Sequence, residues 1–346
     1  MRATVYHGPR DMRVENVPDP KIEQPTDAVL RVSLACICGS DLWPYRGVQK
    51  MPDGARMGHE LMGIVEEVGS EVKTMKKGDL VISPFVISDG TCEFCQKGLQ
   101  TSCIHGSVWG GTENDGGQGE AVRTPWADGT LVVLPAEVKN DEAMLKKILP
   151  LTDVMGTGYH AALAAGVRPG GTAAIVGDGA VGLCGILAAK LMGAQEIIMV
   201  GHQEKRLKVA EQFGATKLVR KTGEEAVKEV QEMTKGGAEA VLECVGTQDS
   251  LNQSLGMARP GSYVGFVGVP TGKEINMLRM FMANVALRGG VAPVRAYLPK
   301  LLKHILNGTI DPSPVLDMSI NLDDVPEGYV AMDNRKAIKV MVNPQA

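Results

Sequence analysis

Two groups of metal-type side chains and one glycine signature stand out in this chain. Cys38 closes an apolar run, and Gly58-His59-Glu60 follows after the loop WPYRGVQKMPDGARM, which is long enough to return the chain beside its start. A cytosolic thiolate, an imidazole and a carboxylate are suitable zinc ligands. Taken alone, Cys38 is more often a core thiol and His59 a satisfied turn histidine. The second group is more specific. In DGTCEFCQKGLQTSC, Cys92-x2-Cys95-x7-Cys103 places three thiols on one short loop, a spacing that closes a tetrahedral zinc site locally. The fourth ligand is Asp89, which continues the x2 spacing backwards, or His105. Without a metal these would be exposed thiols open to oxidation.

The signature is Gly177-x-Gly179-x-x-Gly182 in AAIVGDGAVG, with Ala180 and Val181 inside it. An apolar strand precedes it and a helix follows, the context a dinucleotide-binding turn requires. The first glycine permits the turn, the second lets backbone approach a pyrophosphate, and the third lets helix and strand pack closely. An NAD site wants Asp or Glu at the end of the second strand, about 20 residues on. Here that position is Gly201, in VGHQEKR. With no carboxylate expected there, and with His202, Lys205 and Arg206 close by, the pattern predicts NADP(H) in preference to NAD(H).

These residues need a scaffold. With 346 residues, 44% hydrophobic, the chain is long enough for two domains with sizeable cores. Residues 1–153 are dense in Gly and Pro, with short β-type runs such as DAVLRVSLACI, MGIVEEVG, DLVISPFVI and TLVVLP; they predict an irregular, mostly β domain. From 154 to 292 strands and helices alternate: GTAAIVG, AVGLCGILAAKLMGA, EIIMVG, EKRLKVAEQFGA. That pattern predicts a parallel sheet covered by helices on both faces. Residues 293–346, ending in KAIKVMVNP, are expected to return to the first domain and complete it.

Composition excludes several classes. A net charge of −4, with acids and bases mixed, gives no footprint for nucleic acid or an anionic membrane. No apolar run is long enough to span a bilayer, and the first residues lack a signal-peptide core, so a cytoplasmic location is expected. Cysteines crowded into the first 103 residues point, in a reducing compartment, to metal rather than disulfides.

In this order the motifs resemble the zinc-dependent medium-chain alcohol dehydrogenase family, along essentially the whole chain. HELMGIVEEVGSEV followed by KKGDLV is similar to its zinc-binding segment, CxxCxxGxxxxC to its structural-zinc lobe, and GTGYHAA and GDGAVG to its domain junction and cofactor turn. The resemblance implies an α/β protein: a GroES-like, mostly β catalytic domain plus a doubly wound Rossmann domain. It implies a catalytic zinc held by Cys38, His59 and Asp153, with Glu60 able to approach the metal, Asp41 orienting His59, and Ser40 hydrogen-bonding the substrate oxygen. Asp89, Cys92, Cys95 and Cys103 would hold a structural zinc. Thr157, Val267 and Val269 would lie along the cofactor cleft, which is expected between the two domains. The implied reaction is hydride transfer between NADP(H) and a small alcohol, aldehyde or ketone, by a homodimer or homotetramer. Two other readings stand beside it: a zinc-free quinone-type reductase and a non-catalytic nucleotide-binding protein.

Three departures from the family pattern are visible. Asp89 replaces the usual first cysteine of the lobe. Gly201 replaces the NAD-selecting acid. Trp43 stands near where many members carry a proton-relaying histidine, so water, the cofactor ribose or Tyr45 would take the proton. Trp43, Trp109 and Leu287 are candidate pocket walls, with ordinary packing an equal reading.

Overall fold

The computed structural model describes residues 1–110, 113–271 and 274–346. They divide into two compact units, Met1–Asp153 with Pro293–Ala346, and Val154–Ala292.

The central strand of the first unit is Ala28–Ile37. Its apolar run is buried at both ends, as suits a strand paired on both sides. It pairs antiparallel with Leu61–Val68 on one side and Lys339–Asn343 on the other. The second pairing brings the last strand of the chain back to the first unit. Leu61–Val68 continues to Leu80–Ser83 and Val132–Val133, and Lys339–Asn343 to Leu316–Asn321. The run DLVISPFVI is one strand in the sequence pattern but is interrupted here. Pro84 separates Leu80–Ser83 from Val86–Ile87, since proline cannot donate to a ladder.

Two registers carry the chemistry. Leu61 pairs with Ala35, so Glu60 and His59 lie just beyond, where the Cys36 N–H donates to the Glu60 carbonyl at 3.0 Å. Val340 pairs with Ile37, so Lys339 is the next residue out, beside Cys38. Three strands thus deliver Cys38, His59-Glu60 and Lys339 to the same end of the sheet. Below them a core of Leu30, Val32, Ile37, Leu61, Val81 and Val340 holds the register.

The second unit is a six-stranded, all-parallel sheet. Its order is Lys217–Val219, Glu196–Val200, Thr172–Val176, Ala238–Glu243, Ala258–Phe266, Ala286–Gly289. In sequence this is 3-2-1-4-5-6, the order of the Rossmann fold, with the switch point at the end of Thr172–Val176. The strands Thr172–Val176 and Glu196–Val200 are buried over four of five residues each, as expected with both faces covered. Helix Ala180–Leu191 starts directly after the glycine turn.

Candidate active site

His59 is placed by a tight turn. Gly58 has φ +102°, and a Cβ there would come within 2.5 Å of the Gln118 side chain, so only glycine fits. The His59 ring then faces two ways. Its Nδ1 lies 3.2 Å from Asp41 Oδ1, and its Nε2 lies 3.5 Å from Asp153 Oδ2. Cys38 Sγ stands 3.3 Å from the same Asp153 oxygen. Such separations match the edge of a tetrahedron with metal–ligand bonds of about 2.1 Å, which is roughly 3.4 Å. Glu60 is set further back, 4.0 Å from His59 Nε2. One donor atom from each of Cys38, His59, Glu60 and Asp153 falls within 4.8 Å of all the others.

Burial and the neighbouring charges perturb the groups of this cluster. Burial pushes the Cys38 thiol up to about 11, and the neighbouring Asp153 adds to the shift. Burial raises Glu60 too, against the pull of Lys339. A sulfur, a nitrogen and carboxylate oxygens gathered out of water form a zinc-type donor set. Cys38, His59 and Asp153 could hold the ion, which leaves a position open.

Behind the donors lies a network that sequence reasoning missed. Lys339 Nζ pairs with Glu60 Oε1, and both side chains are almost fully buried. Thr152 Oγ1 approaches the other Glu60 oxygen at 3.4 Å. Gln118 donates to Asp41 Oδ2 at 3.2 Å and to the Cys36 carbonyl at 3.0 Å, and Tyr329 donates to Gln118 Oε1 at 3.0 Å. The Cys38 N–H also donates to Asp41 Oδ2, at 2.9 Å. Asp41 is therefore held by two donors on Oδ2 before its Oδ1 meets His59, as metal-binding imidazoles commonly require. One signal was readable: a lysine opening the apolar run KVMV implies a buried acid to pair with. Gln118 and Tyr329 left no signal.

Ser40 Oγ lies 3.4 Å from His59 Nε2, at the edge of the cluster. Trp43 is half-buried in the short helix Leu42–Tyr45. Tyr45, considered as a proton carrier, is buried in the core with its ring 5.4 Å from Tyr329, away from solvent. Trp109 is also a core residue, its indole N–H donating to the Pro84 carbonyl at 3.2 Å. Leu287 packs against the core of the second unit.

The lobe gathers Asp89, Cys92, Cys95 and Cys103 with donor atoms within 4.8 Å of one another. Between the two candidates for the fourth position, Asp89 joins the thiols and His105 stands behind it, Nδ1 2.8 Å from Asp89 Oδ2. Burial works to raise the Asp89 carboxyl, but N–H groups of Cys92 and Thr91 and the His105 ring outweigh it and hold it well below the usual range. No third group of this kind occurs among the described residues.

In the second unit Gly177 takes φ +109° and Gly179 caps helix Ala180–Leu191, whose first turn has no side-chain cap. A Cβ on Gly179 would meet nothing within 4 Å, whereas one on Gly182 would strike the Gly177 carbonyl. Open space over Gly179, with Ala180 and Val181 in the first turn of a twelve-residue helix, is a fitting cradle for a pyrophosphate. Thr157 is buried on helix Val154–Ala165. Val267 and Val269 follow the strand Ala258–Phe266, and the Val267 N–H donates to the Glu243 carbonyl at 2.9 Å. The buried Glu243 side chain shapes the neighbouring loop by accepting from the N–H groups of Val245 and Gly246.

The end of the second strand differs from the sequence expectation. A carboxylate is present there after all, supplied by Asp178 of the glycine turn. Its Oδ2 accepts from the N–H groups of His202 and Gln203, both at 2.9 Å, and its Oδ1 lies 3.4 Å from Arg206. A Cβ on Gly201 would come within 2.5 Å of the Asp178 Cβ, so Gly201 makes room for this side chain.

Comparison with known proteins adds the following. The family model described as alcohol dehydrogenase GroES-like domain matches residues 24–136, and that described as zinc-binding dehydrogenase matches 180–307. Zinc-type alcohol dehydrogenase B of Aspergillus flavus is 35% identical over 99% of this chain and 81% of its own. Alcohol dehydrogenase TADH from Thermus sp. ATN1 superimposes with a TM-score of 0.91 at 32% identity, over 99% of both chains. A candidate zinc-binding dehydrogenase from Sinorhizobium meliloti 1021, solved with NADP bound, does so at 0.82 and 26% identity, also over 99% of both.

Proposed function

Because the chain belongs to the zinc-dependent medium-chain dehydrogenase/reductase family, a family of oxidoreductases, we propose that it is a zinc alcohol dehydrogenase or aldehyde/ketone reductase working with NADP(H). The observation that carries this reading is the Cys38–His59–Asp153 cluster with Asp41 locked behind His59. A bound zinc would supply Lewis-acid polarisation of the substrate oxygen, and a bound nicotinamide would give or take the hydride.

The chain's own residues do the rest. Cys38, His59 and Asp153 hold the metal, and Asp41 keeps Nε2 of His59 turned towards it. Lys339 restrains Glu60 behind the other three. Ser40 is positioned to pass a proton to or from the substrate oxygen, with water or the cofactor ribose beyond it. Gly177, Gly179, Ala180, Val181 and Gly182 cradle the pyrophosphate, and Thr157, Val267 and Val269 border the dinucleotide. His202, Lys205 and Arg206 favour a 2′-phosphate, and the NADP-bound relative supports that choice. The lobe of Asp89, Cys92, Cys95 and Cys103 holds a second, structural zinc.

The test is a panel of alcohols, aldehydes and ketones followed by NADPH absorbance, with Cys38→Ser alongside. The variant should lose turnover on every active substrate while still binding NADPH. Full turnover in Cys38→Ser overturns the zinc mechanism. A preference for NADH in kcat/KM overturns the cofactor choice.

A homo-oligomer is part of the same reading. Met277, Leu278, Phe281 and Met282 on helix Met277–Ala283 are 66–80% exposed, beside the edge strand Ala286–Gly289. A second copy pairing edge to edge would cover both. No helix of the described residues is long and apolar enough to cross a membrane; a cytoplasmic setting belongs to the same reading.

A further inference from the structure

Asp178 occupies a built anion site. Two backbone N–H groups, of His202 and Gln203, converge on its Oδ2, and the Arg206 guanidinium faces its Oδ1. Asp178 is buried, and Gly201 lacks the side chain that would displace it. The place is the carboxyl end of Glu196–Val200 at the start of helix Glu204–Phe213, where a dinucleotide fold reads the adenosine ribose.

Resting on the dinucleotide reading above, we propose that Asp178 is the specificity-determining residue for the ribose 2′ substituent. Its carboxylate holds the donors a 2′-phosphate needs, and so sets back NADP(H) and lets NAD(H) compete. The physical reasons are charge and donor count. A 2′-phosphate monoester carries a charge of about −1.5 to −2 and requires hydrogen-bond donors. At this point it meets a like charge, and the amides of His202 and Gln203 and the Arg206 head are already turned towards Asp178. A 2′-hydroxyl carries no charge and has a proton to donate, which suits a fixed carboxylate acceptor. The preference expected from Arg206 and His202 is therefore opposed from within the glycine turn. The carboxylate that families of this fold place on the second strand is here delivered from the first.

The experiment measures dissociation constants of ADP-ribose and 2′-phospho-ADP-ribose by calorimetry for the wild type, Asp178→Asn and Asp178→Ala. The quantity read is the ratio of the two constants. In both variants it should move about tenfold towards the 2′-phosphorylated fragment, with ADP-ribose weakened or unchanged. Adding Arg206→Ala to Asp178→Asn should reverse that gain. A ratio unchanged within twofold in both variants overturns the proposal, as does a parallel loss for both fragments, the mark of a purely structural role. Where Asp178→Ala melts early, the near-isosteric Asp178→Asn decides. The wild-type ratio separately tests the NADP(H) preference: a wild type that favours ADP-ribose overturns that preference, while the shift on removing the charge still decides the role of Asp178.

Discussion

The two metal-type clusters of the first unit use similar side chains in opposite ways. The lobe is local: Asp89 and Cys103 are only 14 positions apart, and one loop supplies every donor. The Cys38 cluster is assembled across the chain. Cys38 and Asp153 are separated by 115 positions, and Glu60 and Lys339 by 279. The lobe leans on backbone N–H groups from Thr91 and Cys92 and on the half-exposed His105. The other cluster leans on buried side chains: Lys339, placed by strand register, with Gln118 from a loop and Tyr329 from helix Val325–Asp333. A local loop can be stable with its metal and loose without it. A cluster at the end of a packed sheet is shaped before any ion arrives, which is what a site with an open position requires.

That contrast can be broken by experiment. The largest effect is expected at Lys339. Lys339→Met leaves Glu60 buried without its partner and should cost about 3–5 kcal/mol of unfolding free energy in urea. A loss below about 1 kcal/mol would mean that the cluster does not depend on its buried ion pair. Next comes the lobe. Cys95→Ser should remove one metal per chain by elemental analysis and lower Tm, while fresh enzyme retains its kcat. If kcat falls with the metal, the two clusters are not independent. Conversely, Asp89→Cys should hold zinc roughly tenfold more tightly against a chelator, because thiolate is the softer ligand. The smallest effect is at the far end of the network. Tyr329→Phe deletes one hydrogen bond to Gln118 and should cost about 1 kcal/mol. Gln118→Ala, which frees both Tyr329 and Asp41, should cost about 1–3 kcal/mol.

Legibility followed sequence distance. The thiol spacing of Cys92, Cys95 and Cys103 and the turn Gly177-x-Gly179-x-x-Gly182 are readable because neighbouring residues on a short loop or turn must be neighbours in space. The alternating strands and helices from residue 154 onwards are readable for the same reason, since periodicity is a local property. Cys38 and His59 could be grouped by the loop that returns the chain, but Asp153 joined them only through a resemblance, as nothing in its spacing brings it there. Gly201 shows the opposite case. Its lack of a side chain was plain, but the reason for it was not, because Asp178 reaches it from the glycine turn after a different strand.

By itself, then, the sequence determined the α/β organisation, the thiol-rich lobe, the glycine turn between strand and helix, and the chemical type of each candidate donor. Only the tertiary structure decided what stands behind them: Lys339 on Glu60, the chain from Tyr329 through Gln118 to Asp41, and the Asp178 carboxylate under Arg206. The physical reason is that these contacts depend on strand register, on how a distant helix and loop dock, and on parallel crossover order. A one-residue slip of Lys339–Asn343 would turn Lys339 to the other face of the sheet, with no change in the sequence pattern that predicts a strand.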